Sequence, residues 1–326
     1  MRHVLEIIWV KQSKAIPAKE WLFDECQVIK QFKSCLIRKL NDNFKEKCMK
    51  KIVVVLDGLR FSESACRYAV QLAQSQQAML VGVFPEDFTY QSYNIYNLLV
   101  LEGDNFDTAR KMLDEQDIES RKRAINAFET MARDHGLHFV TRVRKGLILE
   151  EILLESLYAD LVVMDFTEKF SHHKENLPAR LLKDVLEQVP CPVLLVPPVH
   201  KEIEKIMILN DGRSAAVQAL RDVKAFSAAF GKLPASVLSV NNDAENGPDQ
   251  TLLHEWLELS WPSPDYLQLK GDPEEEIINA LQLETLNPLV VLGAYQRGTL
   301  SRWLRQSMAD RLMQEFNNPL FIAATR

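Results

Sequence analysis

The feature that most constrains the fold is an ordered set of short motifs that occurs twice along the 326 residues. Each copy begins with an apolar run that ends in Asp-Gly. A single glycine follows, then a second apolar run, and last a proline that begins a third apolar run. These motifs lie at 51–58, Gly146, 160–164 and 192–194 in the first copy and at 205–212, Gly271, 288–292 and 319–321 in the second. A repeat this long has the size of a domain, so it indicates a duplication rather than a solenoid.

Strands and helices alternate in each copy. Uninterrupted apolar runs such as 52–56 are typical of strands buried on both faces. The segments between the runs carry apolar residues at helical spacing, which predicts helices such as 214–230 and 273–283 in the second copy. This alternation favours right-handed crossovers and a parallel sheet. We therefore predict two tandem α/β domains, 50–199 and 200–326, each a doubly wound, Rossmann-like sheet of five parallel strands with flanking helices.

Residues 1–49 carry none of these motifs and are interpreted as an N-terminal extension. Residues 21–47 mix apolar and basic side chains at roughly helical spacing, with no strand pattern. Two interpretations stay open: a genuine helical appendage, or non-native sequence upstream of a natural start at Met49. The second is favoured because the strand pattern begins directly after Met49.

A long insertion, residues 88–105, separates the second strand of the first copy from its next helix. It contains Tyr90, Tyr93 and Tyr96 and the apolar run 98–101. Insertions of this length are frequently lids or partner surfaces. Packing over the domain's own face is the alternative, and the sequence leaves both open.

Charge and cysteine content exclude several classes of partner. The net charge of −6 comes from well-mixed acids and bases, whereas nucleic acid and anionic membranes require a basic face, so neither is expected as a partner. No apolar run approaches the ~18 residues that span a bilayer, and the short run at 4–10 lacks a signal-peptide cleavage site. The cysteines match no metal or disulfide spacing, which favours reduced thiols and a cytoplasmic protein. They are Cys26, Cys35, Cys48, Cys66 and Cys191.

The ordered motifs resemble the universal stress protein family, in its tandem, two-domain type. The resemblance rests on the strand ending in Asp-Gly, the glycine after the third strand, the run D-L-V-V-M at 160–164 and the closing C-P-V-L-L-V at 191–196. It covers residues 50–326 and implies an adenine nucleotide alpha hydrolase-like fold. It also implies an internal pseudo-dimer of the two copies, formed through their last strands. A further protein partner is expected but not identified, and a homo-oligomer stays open.

The resemblance also implies a nucleotide site in the second copy, with ATP or AMP as its ligand. Family members that bind ATP carry Gly, two residues, Gly, nine residues, Gly and then Ser or Thr, because glycines let backbone N–H groups approach phosphate. Here the aligned residues are Gly293, Gln296, Gln306 and Ser307, so two of three glycines are replaced and the site is degenerate. The remaining candidates in this copy are Asp211, Gly212, Val240 and Gly271. A turn or a helix cap is an equally good interpretation of Asp211, and a core residue is the favoured interpretation of Val240.

In the first copy the leading positions of that signature carry Asp165 and Glu168, and two carboxylates would repel a triphosphate. ATP binding is not expected there. The formal candidates are Asp57, Gly58, Val83 and Gly146, and the resemblance aligns Val83 with Val240 at the adenine side of the site. A turn is favoured for Asp57 and a buried core position for Val83. The adjacent pair His172-His173 is interpreted as a solvated loop rather than a metal site. Ser62 and Ser214 are predicted to cap helices.

No catalytic residue is assigned, because the sequence contains neither a nucleophile elbow nor a P-loop. The favoured function is a non-enzymatic stress-response protein that acts by binding a ligand or partner. One alternative is an adenine-nucleotide sensor or slow ATP hydrolase using the second domain. The other is a pure interaction scaffold.

Overall fold

The computed structural model describes residues 49–87, 91–168, 170, 179–212, 214–240, 250–261, 263–293 and 306–324. Apart from Met49, the N-terminal extension lies outside the described residues. The strands are β1 Lys51–Val55, β2 Met79–Glu86, β3 Phe139–Lys145, β4 Leu161–Asp165, β5 Val193–Val196, β6 Lys205–Leu209, β7 Ala235–Val240, β8 Asp265–Leu269, β9 Pro288–Leu292 and β10 Leu320–Ile322. The α-helices are α1 Glu63–Gln76, α2 Ile95–Glu102, α3 Phe106–Asp134, α4 Ile148–Ser156, α5 Arg180–Gln188, α6 Ser214–Lys224, α7 Ser227–Phe230, α8 Gln250–Glu258, α9 Pro273–Leu283 and α10 Gln306–Glu315.

The strands form one sheet in the order β3-β2-β1-β4-β5-β10-β9-β6-β7-β8. We call β1–β5 with their helices the first half and β6–β10 with theirs the second half. Within each half every neighbouring pair of strands is parallel, and the order is the same when read from the outer edge inward. The predicted duplication of a doubly wound α/β fold is confirmed.

The two halves meet where β5 pairs antiparallel with β10, so the two predicted five-stranded sheets are continuous. Leu194 lies opposite Phe321 in this pairing. Next to it, Lys183 Nζ of α5 lies 3.0 Å from Asp310 Oδ2 of α10. Both pairs join equivalent positions of the repeat. Leu194 and Phe321 follow Pro192 and Pro319 at the same spacing, and Lys183 and Asp310 precede those prolines at the same spacing. A pseudo-two-fold axis therefore runs through the junction, and neither apolar strand is left as an open edge.

The apolar strands supply two separate cores. Successive side chains of a strand point to opposite faces, so Ile52 and Val54 of β1 enter one core while Val53 and Val55 enter the other. All four are at most 1% exposed. The first core is covered by α1, α3, α6, α7 and α8, and the second by α4, α5, α9 and α10. Burial on both faces explains why these strands read as uninterrupted apolar runs.

The helices differ from the prediction in two described places: α2 forms within the insertion 88–105, where none is predicted, and one predicted helix is divided. The segment 214–230, predicted as a single helix, is divided into α6 and α7. Phe226 precedes α7, is 1% exposed and lies with its ring 6.2 Å from that of Phe321. Both pieces fit one apolar periodicity, so the sequence does not reveal the break. Ser62 caps α1 as predicted, accepting the Ala65 N–H, whereas Ser214 is the first residue of α6.

A buried ion-pair network ties β1 and β3 to α4. Glu155 is 3% exposed, and its carboxylate lies 3.2 Å from Lys51 Nζ, 3.3 Å from Arg142 Nη1 and 2.6 Å from Arg144 Nη2. Burial alone would raise the pKa of Glu155, but the hydrogen bonds from Arg144 and Lys51 outweigh it and hold the pKa below its ordinary value. The second half repeats the contact from its first strand, because Lys205 Nζ lies 2.7 Å from Glu284 Oε2.

Replacing Glu155 with glutamine should lower the free energy of unfolding by about 2 kcal/mol at neutral pH. Removing one member of a buried ion pair costs ~3–5 kcal/mol, and the cost is smaller here because the cations are partly exposed. A group with a lowered pKa stabilises the fold above its unfolded pKa and loses that effect as pH falls. The difference between wild type and variant should therefore shrink under acid conditions, as measured by urea unfolding. Glu150→Gln, an exposed site on the same helix, is the control and should change stability by only a few tenths of a kcal/mol.

Candidate functional site

Ligands of doubly wound folds bind beyond the carboxyl ends of the strands, and the two halves differ at this edge. In the first half, Asp57 follows β1 and is 1% exposed. Its Oδ1 accepts the Leu59 N–H at 2.7 Å, which closes a turn. The turn interpretation of Asp57 is confirmed.

Asp165, the last residue of β4, is bound to the start of α1. Its Oδ2 accepts the Ser62 hydroxyl at 2.7 Å, and its Oδ1 accepts the N–H and the hydroxyl of Thr167 at 2.8 and 2.7 Å. Ser62 is also the cap of α1. A protein carboxylate therefore stands where the first glycine of the phosphate signature would be, beside a helix N-terminus that favours anions.

Glu168 adds a third carboxylate to this edge and is 6% exposed. Burial, followed by the nearby carboxylates of Asp57 and Asp165, raises the pKa of Glu168 well above its ordinary value, although Arg60 acts in the opposite direction. The two aspartates present acceptors, and a single carboxyl that holds its proton does not replace a set of backbone N–H groups, so the first half offers no cradle for phosphate. Within the described residues, no group of three or more His, Cys, Asp or Glu is placed to hold a metal ion.

The other candidates of the first half are packed against neighbours. A Cβ on Gly58 would lie 2.9 Å from Arg121 Cγ of α3, so that side chain covers the glycine. Val83 is fully buried and lies opposite Val55, which places it in the core. Gly146 donates its N–H to the Glu86 carbonyl at 3.1 Å. His172 and His173 lie outside the described residues.

The second half closes its first turn differently. Asn210, which is 4% exposed, accepts the Gly212 N–H through Oδ1 at 3.1 Å, and Gly212 has a left-handed φ of 76°. Asn210 Nδ2 donates to the Ser239 hydroxyl at 3.4 Å. Asn210 therefore closes this turn in place of Asp211, and Asp211 is half-buried. Asn210 is not among the residues predicted from the sequence. The feature that could have revealed it is a polar residue at the position where the first half has Leu56.

Gly293 has no side chain at the position that the carboxylate of Asp165 occupies in the first half. The pairing of β9 with β6 repeats that of β4 with β1, so Gly293 and Asp165 are equivalent. A Cβ on Gly293 would lie 3.1 Å from the carbonyl carbon and the Cβ of Ala215, in the first turn of α6. Gln296 lies outside the described residues, and Gln306 and Ser307 begin α10 with side chains that are not described.

Two further positions complete this edge. Gly271 has a φ of 149°, a backbone conformation that favours glycine, and the flexible side chain of Glu276 in α9 lies beside it. The strand register corrects the equivalence of Val240 with Val83. Leu209 lies opposite Leu238, as Val55 lies opposite Val83, so Leu238 is the equivalent residue. A register cannot be read from an apolar run, because every second residue fits equally well.

Both halves therefore belong to one class of protein, the doubly wound α/β units whose ligand edge lies at the carboxyl ends of the strands. A model of the universal stress protein family matches residues 49–197. A universal stress protein of Methanocaldococcus jannaschii is 28% identical over 159 residues, covering 48% of this chain and 87% of that protein. The first half therefore carries a universal stress protein domain, and the second half repeats its fold.

Solved structures extend the likeness over both halves. A universal stress protein from Archaeoglobus fulgidus aligns with a TM-score of 0.60 at 13% identity, covering 83% of this chain and 96% of that one. A Pseudomonas aeruginosa protein assigned to the same family gives a TM-score of 0.51 at 16% identity, covering 85% of this chain and 93% of that one. At these identities the likeness concerns the fold. None of the helices within the described residues has both the length and the apolar character to cross a bilayer.

Proposed function

We propose that this protein is a non-enzymatic, cytoplasmic stress-response protein that binds a ligand or a protein partner and keeps a degenerate adenine-nucleotide site in its second half. The observation that carries the proposal is the difference at the end of the fourth strand of each half. Asp165 is hydrogen-bonded to the cap of α1, whereas Gly293 leaves the backbone beside the first turn of α6 free of a side chain. Only the second arrangement lets an anion approach backbone N–H groups.

The buried thiols support the assignment to a reducing compartment. Cys66 and Cys191 are both free and buried. Burial raises the pKa of each thiol to about 12, so neither forms the reactive thiolate at neutral pH. These two cysteines serve as small apolar core residues, as expected for reduced, structural thiols.

Equilibrium binding and thermal shift with ATP and with AMP test the proposal. We expect weak binding in the millimolar range by the wild-type protein, and loss of that binding in Gly293→Asp, because the new carboxylate reproduces the first-half arrangement. Ser307→Ala should also weaken binding without adding a charge, and it serves as the check if Gly293→Asp does not fold. Asp165→Asn, the matched change in the first half, should leave binding unchanged.

The other outcomes distinguish the alternatives. Saturable micromolar binding that Gly293→Asp abolishes would favour an adenine-nucleotide sensor or a slow ATP hydrolase, and ATP turnover would separate those two. No response to any nucleotide would favour a pure interaction scaffold. Binding that survives Gly293→Asp and is lost in Asp165→Asn would contradict the assignment of the site to the second half.

A further inference from the structure

The insertion of the first half places an apolar helix on the surface. Helix α2 has no buried residue, although its sequence I-Y-N-L-L-V-L-E is almost entirely apolar. We call its five exposed apolar side chains the hairpin patch. They are Ile95, 48% exposed, Tyr96, 73%, Leu99, 51%, Val100, 65%, and Leu101, 81%.

The helix carrying the hairpin patch is held in place by specific contacts. The Ser92 N–H donates to Asp117 Oδ2 at 2.8 Å, and Asp117 of α3 is only 3% exposed. The Tyr93 hydroxyl donates to Asp114 Oδ1 at 2.6 Å. Asn94 caps α2 by accepting the Asn97 N–H at 3.1 Å. The hairpin patch is therefore exposed on an anchored helix that itself packs against α3.

An exposed apolar surface of this size is typical of an interaction site. From the exposed fractions, the hairpin patch presents roughly 600 Å² of surface, at the upper end of what monomeric proteins leave uncovered. Two such patches packed together would bury roughly 1,200 Å², which reaches the lower limit of specific protein interfaces. A second copy of the chain would therefore cover the patch with the area that a stable dimer needs.

Charge favours the same occupant over a lipid surface. Residues 91–105 contain Glu102 and Asp104 but no lysine or arginine, whereas helices that lie on anionic membranes carry basic residues beside their apolar face. Arg110 and Lys111 follow in the first turns of α3, and both are exposed. Arg110 already pairs with Asp114 at 3.7 Å, so Lys111 is the basic side chain that a two-fold arrangement of hairpins would place near Glu102 and Asp104 of the other copy.

The chain cannot use the last strands of its halves for this purpose, because β5 and β10 are already paired with each other. We propose that the hairpin patch is a homodimer interface, at which two copies of the chain pack their α2–α3 hairpins together about a two-fold axis. This proposal does not depend on whether either half binds a nucleotide.

Sedimentation equilibrium of the full chain, over roughly a hundredfold range of micromolar concentrations, tests the interface. The wild-type protein should show a mass twice the 37.4 kDa of one chain. Val100→Asp should raise the dissociation constant at least tenfold, since it buries a charge in the apolar contact. Leu283→Asp alters an 82% exposed leucine at the end of α9 and should leave the dimer intact.

The charge arrangement gives a second readout on the same instrument. Lys111→Glu should weaken the dimer, and adding Glu102→Lys to it should restore part of the affinity. A wild-type protein that stays monomeric over the whole range would overturn the proposal, as would a dimer that Val100→Asp leaves unchanged. A monomer that co-sediments with phosphatidylcholine vesicles would assign the hairpin patch to a lipid surface instead.

Discussion

Gly82→Ala is expected to destabilise the protein by about 3 kcal/mol, the upper end of the usual cost of overpacking a core. Gly82 lies in the middle of β2, between Val54 of β1 and Thr141 of β3. A Cβ there would lie 2.6 Å from both Cε1 and Cζ of Phe128, and carbon atoms in contact normally stay ~3.5–4.0 Å apart. The added methyl group therefore forces a displacement of the ring or the strand.

The Phe128 ring has little room to move. It is fully buried, and it makes edge-to-face contacts with Phe84 at 6.1 Å and with Phe139 at 6.0 Å between ring centroids. The second half shows that the strand itself tolerates a side chain at this place. Val237 lies opposite Ile208 as Gly82 lies opposite Val54, and Val237 is an ordinary buried valine. The three atoms nearest to a Cβ at Gly82 all belong to the Phe128 ring, so we assign the restriction to that ring.

A double-mutant cycle separates this cause from a general effect on the strand. Phe128→Leu shortens the side chain, so Gly82→Ala should cost at least about 1 kcal/mol less in that background than in the wild type. Guanidinium unfolding followed by circular dichroism gives the four free energies. Equal costs of Gly82→Ala in the two backgrounds would contradict the packing explanation.

The central strands could be predicted from the sequence because burial on both faces leaves them almost entirely apolar, as in β5, whereas the edge strands β3 and β8 carry polar residues. The first strand, predicted at 52–56, is observed at Lys51–Val55, and the duplication supplied an independent check on each strand. Helix α9 was predicted with both boundaries correct, since Asp272 and Pro273 form a clear helix start and Asp272 accepts the N–H groups of Glu274 and Glu275.

The contacts that define the site could not be predicted, because they join residues far apart in sequence. Ser62 and Asp165 are 103 residues apart, yet they share a hydrogen bond that gives Asp165 its role. The fit of Gly82 against Phe128 likewise depends on how α3 crosses β2. Asn210 was overlooked because a single polar residue at the end of an apolar run has no periodicity to mark it. The strand register shows that Leu238, and not Val240, is equivalent to Val83. Shifting an apolar strand by two residues keeps the same face buried, so the hydrophobic pattern does not fix this register.

Glu168→Gln is expected to remove a pH dependence of stability that the wild-type protein shows above pH 4.5, the ordinary pKa of a glutamate. Burial and the carboxylates of Asp57 and Asp165 raise the pKa of Glu168 in the folded state. The folded protein therefore holds a proton that the unfolded chain has released. Stabilisation by this proton is complete below the unfolded pKa and is lost as pH rises through the folded pKa. Between these two values the free energy of unfolding should fall by up to about 1.4 kcal/mol per pH unit.

Glutamine keeps the shape of the protonated side chain and has no proton to lose, so the variant should match wild type at acid pH and exceed it in stability at neutral pH. The quantity to measure is the difference in unfolding free energy between the two proteins across the pH range, since contributions from other titrating groups cancel in it. Glu150→Gln, at an exposed glutamate, should give a small and constant difference. A constant difference for Glu168→Gln as well would show that its carboxylate is not confined with Asp57 and Asp165. A difference that grows with pH, together with no gain of ATP binding in Glu168→Gln, would indicate that the edge of the first half is closed by its packing as well as by its charge.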